Sequence, residues 1–174
     1  TYGRRLFVIC KSEITATAIA RRRGSDLSIA REDSALDAVG AAIQDPPMSE
    51  IQHVDANGLR FAYLEEGEGP LVLLVHGFPD TARSWDAIRP KIAEKGYRAV
   101  SPWTRGYHPT EIPDRDATAE DLARDVVALI DALSEDGTAI VIAHDWGGYA
   151  GYGAAALAPE RVSKLFVVGI PHPA

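Results

Sequence analysis

Cysteine is almost absent from this sequence: Cys10 is the only one among 174 residues. A single cysteine excludes an intrachain disulfide and says little about the redox compartment. Long apolar runs are also absent, because no segment approaches the roughly 20 residues that a membrane-spanning helix needs. These absences indicate a cytoplasmic protein without a membrane span.

Positive charge is scarce as well. The chain has 18 lysines and arginines against 25 aspartates and glutamates, which gives a formal net charge of −7. This balance disfavours nucleic acid and anionic membranes as partners. No group of histidine, cysteine and carboxylate residues has metal-site spacing, so we predict neither a metal nor another cofactor. Nothing in the composition fixes the oligomeric state.

Residues 1–47 differ in charge from the rest of the chain. They hold seven basic and six acidic residues, whereas residues 48–174 carry a net charge of −8. We predict that residues 1–47 are an extension outside the functional domain. Two origins stay open: a read-through of upstream sequence with Met48 as the natural start, or a genuine but poorly ordered N-terminal extension.

From residue 51 onward, strand patterns alternate with helix patterns. Residues 51–56 and 59–64 flank Asn57-Gly58, a pair typical of a two-residue hairpin turn. Apolar runs of strand length then alternate with segments of helical periodicity. The runs are residues 71–75, 97–102, 140–144 and 164–170, and the helical segments are residues 85–96, 118–133 and 147–157. This alternation predicts an α/β fold with a mostly parallel sheet after an antiparallel hairpin, and residues 164–170 as its unpaired last strand.

The run at residues 140–144 passes abruptly into a helix at Asp145. A side chain on so sharp a strand-to-helix turn is held near positive φ, which aspartate tolerates better than most residues. Ala143 and Gly147, two positions before and after, are small enough to leave room for the turn. The pattern is typical of a nucleophile elbow, with Asp145 as the nucleophile. The simpler alternative is an aspartate that only caps the helix.

A second motif, His76-Gly77-Phe78-Pro79, follows the apolar run at residues 71–75. It has the His-Gly-x-Pro layout of a loop that supplies an oxyanion-hole amide. Ligands of such sheets bind beyond the carboxyl ends of the strands, where this loop and Asp145 both lie. The second motif therefore favours a reactive Asp145 over a helix cap.

These motifs, with Arg105-Gly106-Tyr107 and Pro159-Glu160-Arg161-Val162, make residues 48–174 resemble the N-terminal half of an α/β-hydrolase catalytic domain. The resemblance is to the epoxide hydrolase and haloalkane dehalogenase branch, and Phe78 and Trp146 are more similar to epoxide hydrolases. Two positions depart from the branch: Trp103 stands where aspartate is usual, and His108 where glycine is common. The resemblance implies that the fold is truncated here before a cap domain and the C-terminal strands.

The resemblance also implies a reaction. Asp145 would attack a saturated carbon of an epoxide or alkyl halide, and water would then hydrolyse the alkyl ester. The partners would be that small hydrophobic substrate and water. The amides of Phe78 and Trp146 would form the oxyanion hole. Six further residues would support the two motifs: His76, Gly77, Pro79, His144, Gly147 and Gly148.

In this branch the water-activating histidine and its acid partner follow the cap, beyond residue 174. We therefore expect the chain as given to be inactive alone. Three interpretations stay open: an epoxide hydrolase-like enzyme, a haloalkane dehalogenase or other carbon–halogen hydrolase on the same scaffold, and a non-catalytic relative that binds a small molecule.

Overall fold

The computed structural model describes residues 6–9 and 50–172, which form a seven-stranded sheet flanked by helices. The strands are β1 (Leu6–Ile9), β2 (Gln52–Ala56), β3 (Leu59–Glu66), β4 (Leu71–Val75), β5 (Arg98–Pro102), β6 (Ala139–His144) and β7 (Val162–Val168). Their order across the sheet is β1-β7-β6-β4-β5-β3-β2. β3 is antiparallel to both β2 and β5, and the remaining pairs are parallel. The prediction of a mostly parallel sheet with an N-terminal hairpin is confirmed.

The hairpin turn between β2 and β3 has the conformation that its sequence predicts. Asn57 has a φ of 44° and Gly58 a φ of 76°, so both central residues are in the left-handed region. Turns of this kind match the twist of the strands they join. The turn therefore fixes the register of β2 against β3.

Helices cover both faces of the sheet, which explains why every residue of β4 is buried. The helices are α1 (Arg89–Ala93), α2 (Ala119–Leu133) and α3 (Trp146–Leu157), and a 3₁₀ turn covers Ala82–Trp85. α2 and α3 pack on one face through a core that includes Leu73, Val126 and Leu165. The 3₁₀ turn and α1 pack on the other face, where Trp85 and Ile92 contact Val72 and Leu74.

The helix predicted at residues 85–96 is wrong in extent. The structure has the 3₁₀ turn Ala82–Trp85 and then the short helix α1, which begins at Arg89. Pro90 lies in the first turn of α1, and its missing N–H cannot continue a helix from the preceding residues. The segment therefore breaks into two pieces.

The prediction that the last strand is unpaired is wrong. β7 pairs with β1 in parallel, Leu165 opposite Leu6 and Val168 opposite Ile9. The pairing supplies the hydrogen-bonding partner that an edge strand otherwise lacks. Apart from Leu6–Ile9, the predicted extension at residues 1–47 lies outside the described residues, so its separate status stays a prediction.

Within residues 6–9 and 50–172, none of the helices combines the length and the apolar composition that crossing a bilayer requires.

Candidate active site

Asp145 lies at the sharp turn between β6 and α3, with a φ of 50° and a ψ of −123°. It precedes the first helical residue, but its side chain makes no capping hydrogen bond to the helix. The helix-cap interpretation therefore has no support in the contacts of this side chain. A non-glycine residue in this backbone region costs of order 1–3 kcal/mol, which neighbouring structure must offset.

The carboxylate of Asp145 instead contacts the loop after β4. The Phe78 amide donates a hydrogen bond of 3.0 Å to Asp145 Oδ1. This hydrogen bond, more than any other contact, lowers the pKa of Asp145 below its ordinary value, and the Trp146 amide and the His144 ring act in the same direction. Partial burial opposes the shift. Asp145 is therefore ionised at neutral pH.

Close backbone approach at this turn requires small residues. A Cβ on Gly77 would lie 2.5 Å from Asp145 Cβ and 2.6 Å from its Oδ1. A Cβ on Gly147 would meet the carbonyl oxygens of Val75 and His76, the latter at 2.7 Å. Both glycines therefore lie where the loop after β4 and the start of α3 come into direct contact.

His76 is almost fully buried beneath this loop, at 1% exposure. Its Nε2 lies 3.0 Å from the Thr104 amide nitrogen and 3.2 Å from the Thr104 hydroxyl. Its Nδ1 lies 2.9 Å from the Gly77 carbonyl oxygen. The Tyr107 ring packs edge-on against the imidazole, with ring centroids 4.8 Å apart. Burial lowers the pKa of His76, so the ring is neutral at neutral pH.

His144 points to a different partner. Its Nδ1 lies 3.2 Å from Asp80 Oδ2, and both side chains are partly exposed. This contact joins the end of β6 to the loop after β4. His144 is thus engaged by Asp80, as His76 is by Thr104 and Gly77.

A buried ion pair holds the loop after β5. Arg105 contacts both oxygens of Asp125 on α2, at 2.8 Å and 2.6 Å. The Asn57 side-chain amide donates to Asp125 Oδ1 at 2.7 Å, which ties the β2–β3 turn to the same carboxylate. This network links three separate segments beside Thr104 and Tyr107.

A cavity of about 210 Å³ lies between the loop after β4, the loop after β5 and α2. Its walls are mostly apolar, as small-molecule sites usually are. Phe78 and Trp146 both contribute to it, whereas Asp145 is not one of its lining residues. Further lining residues include Phe61, Val75, Tyr107, Leu122, Val126, Leu129 and Ala150.

The structure brings the predicted site residues together. Asp145, Phe78, Trp146, His76, Gly77, Gly147 and His144 lie at the carboxyl ends of β4 and β6, which are neighbours in the sheet. Gly148 faces Val167 and Ile170 rather than the loop, so its small size serves packing of α3 on the sheet. Pro79 follows Phe78 through a cis peptide bond.

Sequence reasoning missed the contact of Thr104 with His76 and the contacts of Asp125 with Arg105 and Asn57. Thr104 is the second residue after β5, the neighbour of β4, so its place at the carboxyl edge was the available signal. Trp103 is 5% exposed and packs with Ala62, Leu64 and Ala82, so it belongs to the core rather than to the cavity wall. Among the described residues no group of three histidine, cysteine or carboxylate side chains is placed to hold a metal ion.

Known proteins share this architecture. A model of the alpha/beta hydrolase fold family matches residues 70–174. The AB hydrolase superfamily protein YfhM of Bacillus subtilis is 38% identical over 127 residues, 70% of this chain and 44% of that protein. An epoxide hydrolase of Caballeronia sordidicola is 37% identical over 121 residues, 68% of this chain and 36% of that protein.

A solved structure agrees with these two relatives. The crystal structure of epoxide hydrolase VrEH1 from Vigna radiata superposes with a TM-score of 0.67 at 36% identity, and the match covers 72% of this chain and 41% of that one. The chain thus spans about two fifths of the length of the proteins it matches. With a family match over more than half of its residues, the chain belongs to the α/β-hydrolase fold family.

Proposed function

We propose that this chain carries the nucleophile and the oxyanion hole of an epoxide hydrolase-like enzyme, with Asp145 as the attacking group. The contact that carries the proposal is the 3.0 Å hydrogen bond from the Phe78 amide to Asp145 Oδ1. It holds an ionised carboxylate at a strained turn where no capping contact accounts for it. The names of the relatives, epoxide hydrolases at 36–37% identity, support the choice of substrate class.

The reaction has two steps on this proposal. Asp145 attacks a ring carbon of the epoxide, the carbon–oxygen bond of the ring breaks, and the ring oxygen leaves with the electron pair and takes a proton. Water then attacks the carbonyl carbon of the new ester. That step places negative charge on the carbonyl oxygen of the ester, where the amides of Phe78 and Trp146 would stabilise it by about 3 kcal/mol per donor. The bond from the carbonyl carbon to the alkyl oxygen then breaks, the alkyl oxygen takes the proton that the water gave up, and the diol and the Asp145 carboxylate are released.

On this proposal neither His76 nor His144 is the water-activating base. His76 is held by Thr104 and Gly77, and His144 contacts Asp80. In the branch that this chain resembles, the base and its acid partner follow the cap domain. We therefore expect residues 1–174 to form the alkyl ester slowly and to accumulate it rather than turn over.

The accumulated ester makes the proposal testable by mass spectrometry. The chain is incubated with styrene oxide, digested, and searched for the hydroxyalkyl adduct. We expect the adduct on the peptide containing Asp145 and its complete loss in Asp145→Asn. Asp136→Asn is a matched control, because Asp136 also has a lowered pKa but lies in the turn between α2 and β6.

Two outcomes would refute the nucleophile assignment. One is an adduct spread evenly over exposed carboxylates, and the other is an adduct that survives on the peptide containing residue 145 in Asp145→Asn. Running 1-bromobutane in parallel separates the substrate classes: faster alkylation by the bromide, with release of bromide ion, would favour carbon–halogen hydrolysis. No alkylation by either reagent in a folded chain would favour a non-catalytic small-molecule binder.

A further inference from the structure

The tautomer of His76 follows from its two contacts. A backbone amide can only donate, so Nε2, which lies 3.0 Å from the Thr104 nitrogen, must carry a lone pair. The ring proton of the neutral imidazole is then on Nδ1, 2.9 Å from the Gly77 carbonyl oxygen. Nδ1–H therefore donates to this carbonyl.

The Gly77 carbonyl and the Phe78 amide belong to the same peptide unit. This unit is trans, so its C=O and N–H point in opposite directions. A donor that holds the Gly77 oxygen therefore also sets the direction of the Phe78 N–H. That N–H points to Asp145 Oδ1 at 3.0 Å.

We propose that His76 is a positioning residue: Thr104 fixes its Nδ1–H tautomer, and the ring in turn orients the Gly77–Phe78 peptide so that the Phe78 amide faces Asp145. The importance of this amide for catalysis rests on the proposed function, whereas the orientation itself does not. Positioning of this kind supplies the fixed donor geometry that stabilisation of an oxyanion requires.

His76 is not the only donor to the Gly77 oxygen among the described residues. The Asp80 amide also donates to the Gly77 oxygen, at 3.0 Å, as part of the turn over residues 77–80. If that turn alone held the peptide, His76 would only fill space beneath the loop. If His76 positions the peptide, removing its contact to Gly77 should reorient the Phe78 amide. If the turn alone does so, removing that contact should leave the amide unchanged.

Asparagine and glutamine separate the two ring contacts. The side-chain nitrogen of asparagine lies as many bonds from Cβ as Nδ1 does, so His76→Asn keeps a donor for the Gly77 oxygen and loses the Thr104 contact. The amide group of glutamine lies as far out as Nε2, so His76→Gln keeps an acceptor for Thr104 and loses the Gly77 contact. Both variants remove the imidazole, which makes each the control for the other.

Nuclear magnetic resonance on the 174-residue chain reads out the orientation directly. The first measurement is the pair of imidazole ¹⁵N shifts of His76 in the unsubstituted protein. We expect a protonated Nδ1 and an unprotonated Nε2. The opposite pattern would overturn the proposal without any variant, which keeps it testable even if a substitution prevents folding.

The second measurement is the amide proton shift of Phe78 and the titration midpoint of the Asp145 carboxyl. We expect His76→Asn to retain both, and His76→Gln to shift the Phe78 amide upfield and to raise the pKa of Asp145 towards its ordinary value. Equal values in both folded variants, whether changed or unchanged, would overturn the proposal. Styrene oxide labelling stays a separate measurement: absent labelling with the expected spectra would refute the proposed function alone.

Discussion

Arg105 and Asp125 form a bidentate ion pair in which Nε lies 2.8 Å from Oδ2 and Nη2 lies 2.6 Å from Oδ1. Both side chains are 7% exposed or less. The pair joins the loop after β5, which carries Thr104, to the middle of α2. Each of the two charges is therefore compensated only as long as its partner is present.

We predict that Asp125→Ala lowers the free energy of unfolding by about 3–5 kcal/mol, because it leaves a buried guanidinium without its partner. The double variant Arg105→Met, Asp125→Leu should cost less, since it leaves no uncompensated charge. Urea denaturation measures both. Glu120→Ala is the control, because its pair with Arg124 is more than half exposed on each side and is worth about 0.5 kcal/mol or less. A cost for Asp125→Ala as small as that of the control would contradict the prediction.

Asp145 offers a test of backbone strain. At a φ of 50° and a ψ of −123°, glycine is unstrained, whereas alanine is strained. We predict that Asp145→Gly is more stable than Asp145→Ala by about 1–3 kcal/mol. Both variants lack the carboxylate, so the difference reports the backbone alone. At the exposed position Ala156 within α3, Ala156→Gly should instead lose up to about 1 kcal/mol. The same sign at both positions would argue against strain at the turn.

Gly77→Ala should displace the candidate nucleophile. The added methyl would lie 2.6 Å from Asp145 Oδ1, far inside ordinary contact distance, so the carboxylate or the loop has to move. We predict loss of the 3.0 Å contact to the Phe78 amide and at least a tenfold slower labelling of Asp145 by styrene oxide, on the order of 1.4 kcal/mol in the barrier.

The matched control is Gly106→Ala in the loop after β5. No atom lies within 4 Å of the position of its Cβ, but its φ of 87° makes the alanine conformationally strained. We expect a lower melting temperature and unchanged labelling for this variant. If Gly106→Ala slowed labelling as much as Gly77→Ala did, general destabilisation would explain the effect better than a clash with Asp145.

Much of the fold follows from local sequence patterns. Asn57-Gly58 specifies its turn through positive φ at both residues, and Thr118 caps α2 because its hydroxyl accepts from the Asp121 amide while Asp121 accepts in return. The apolar residues of α2 recur with helical spacing, which places Val126, Leu129, Ile130 and Leu133 in the core. These features depend on residues a few positions apart, where the sequence carries the full information.

The missed features depend on residues far apart in the chain. Thr104 meets His76 only because β5 and β4 are neighbours, and Asp125 meets Asn57 across 68 positions. The β1–β7 pairing joins segments separated by most of the chain. Periodicity and motif spacing do not predict such pairs, because these contacts depend on the strand order and on the paths of the loops in the folded protein.

The buried imidazole of His76 should make stability depend on pH. Burial lowers the pKa of His76 below its ordinary value of 6.5, while the Gly77 contact and the charge of Asp80 partly oppose this. Below pH 6.5 the unfolded chain therefore binds a proton that the folded protein still resists, so the free energy of unfolding falls as the pH falls, by at most about 1.4 kcal/mol per pH unit. The loss ends once the pH drops below the pKa in the folded state.

His76→Asn, which cannot titrate, should show a smaller loss of stability than the unsubstituted protein between pH 7.5 and pH 5.5, as measured by urea denaturation on both. Asp145 does not interfere in this range, because its pKa is lowered from 3.8 and its contribution to stability is lost only at more acidic pH. An identical pH dependence in the two proteins would mean that His76 accepts a proton in the folded state without penalty. The Thr104 amide could not then be bonded to a lone pair on Nε2, and the assigned tautomer would be wrong.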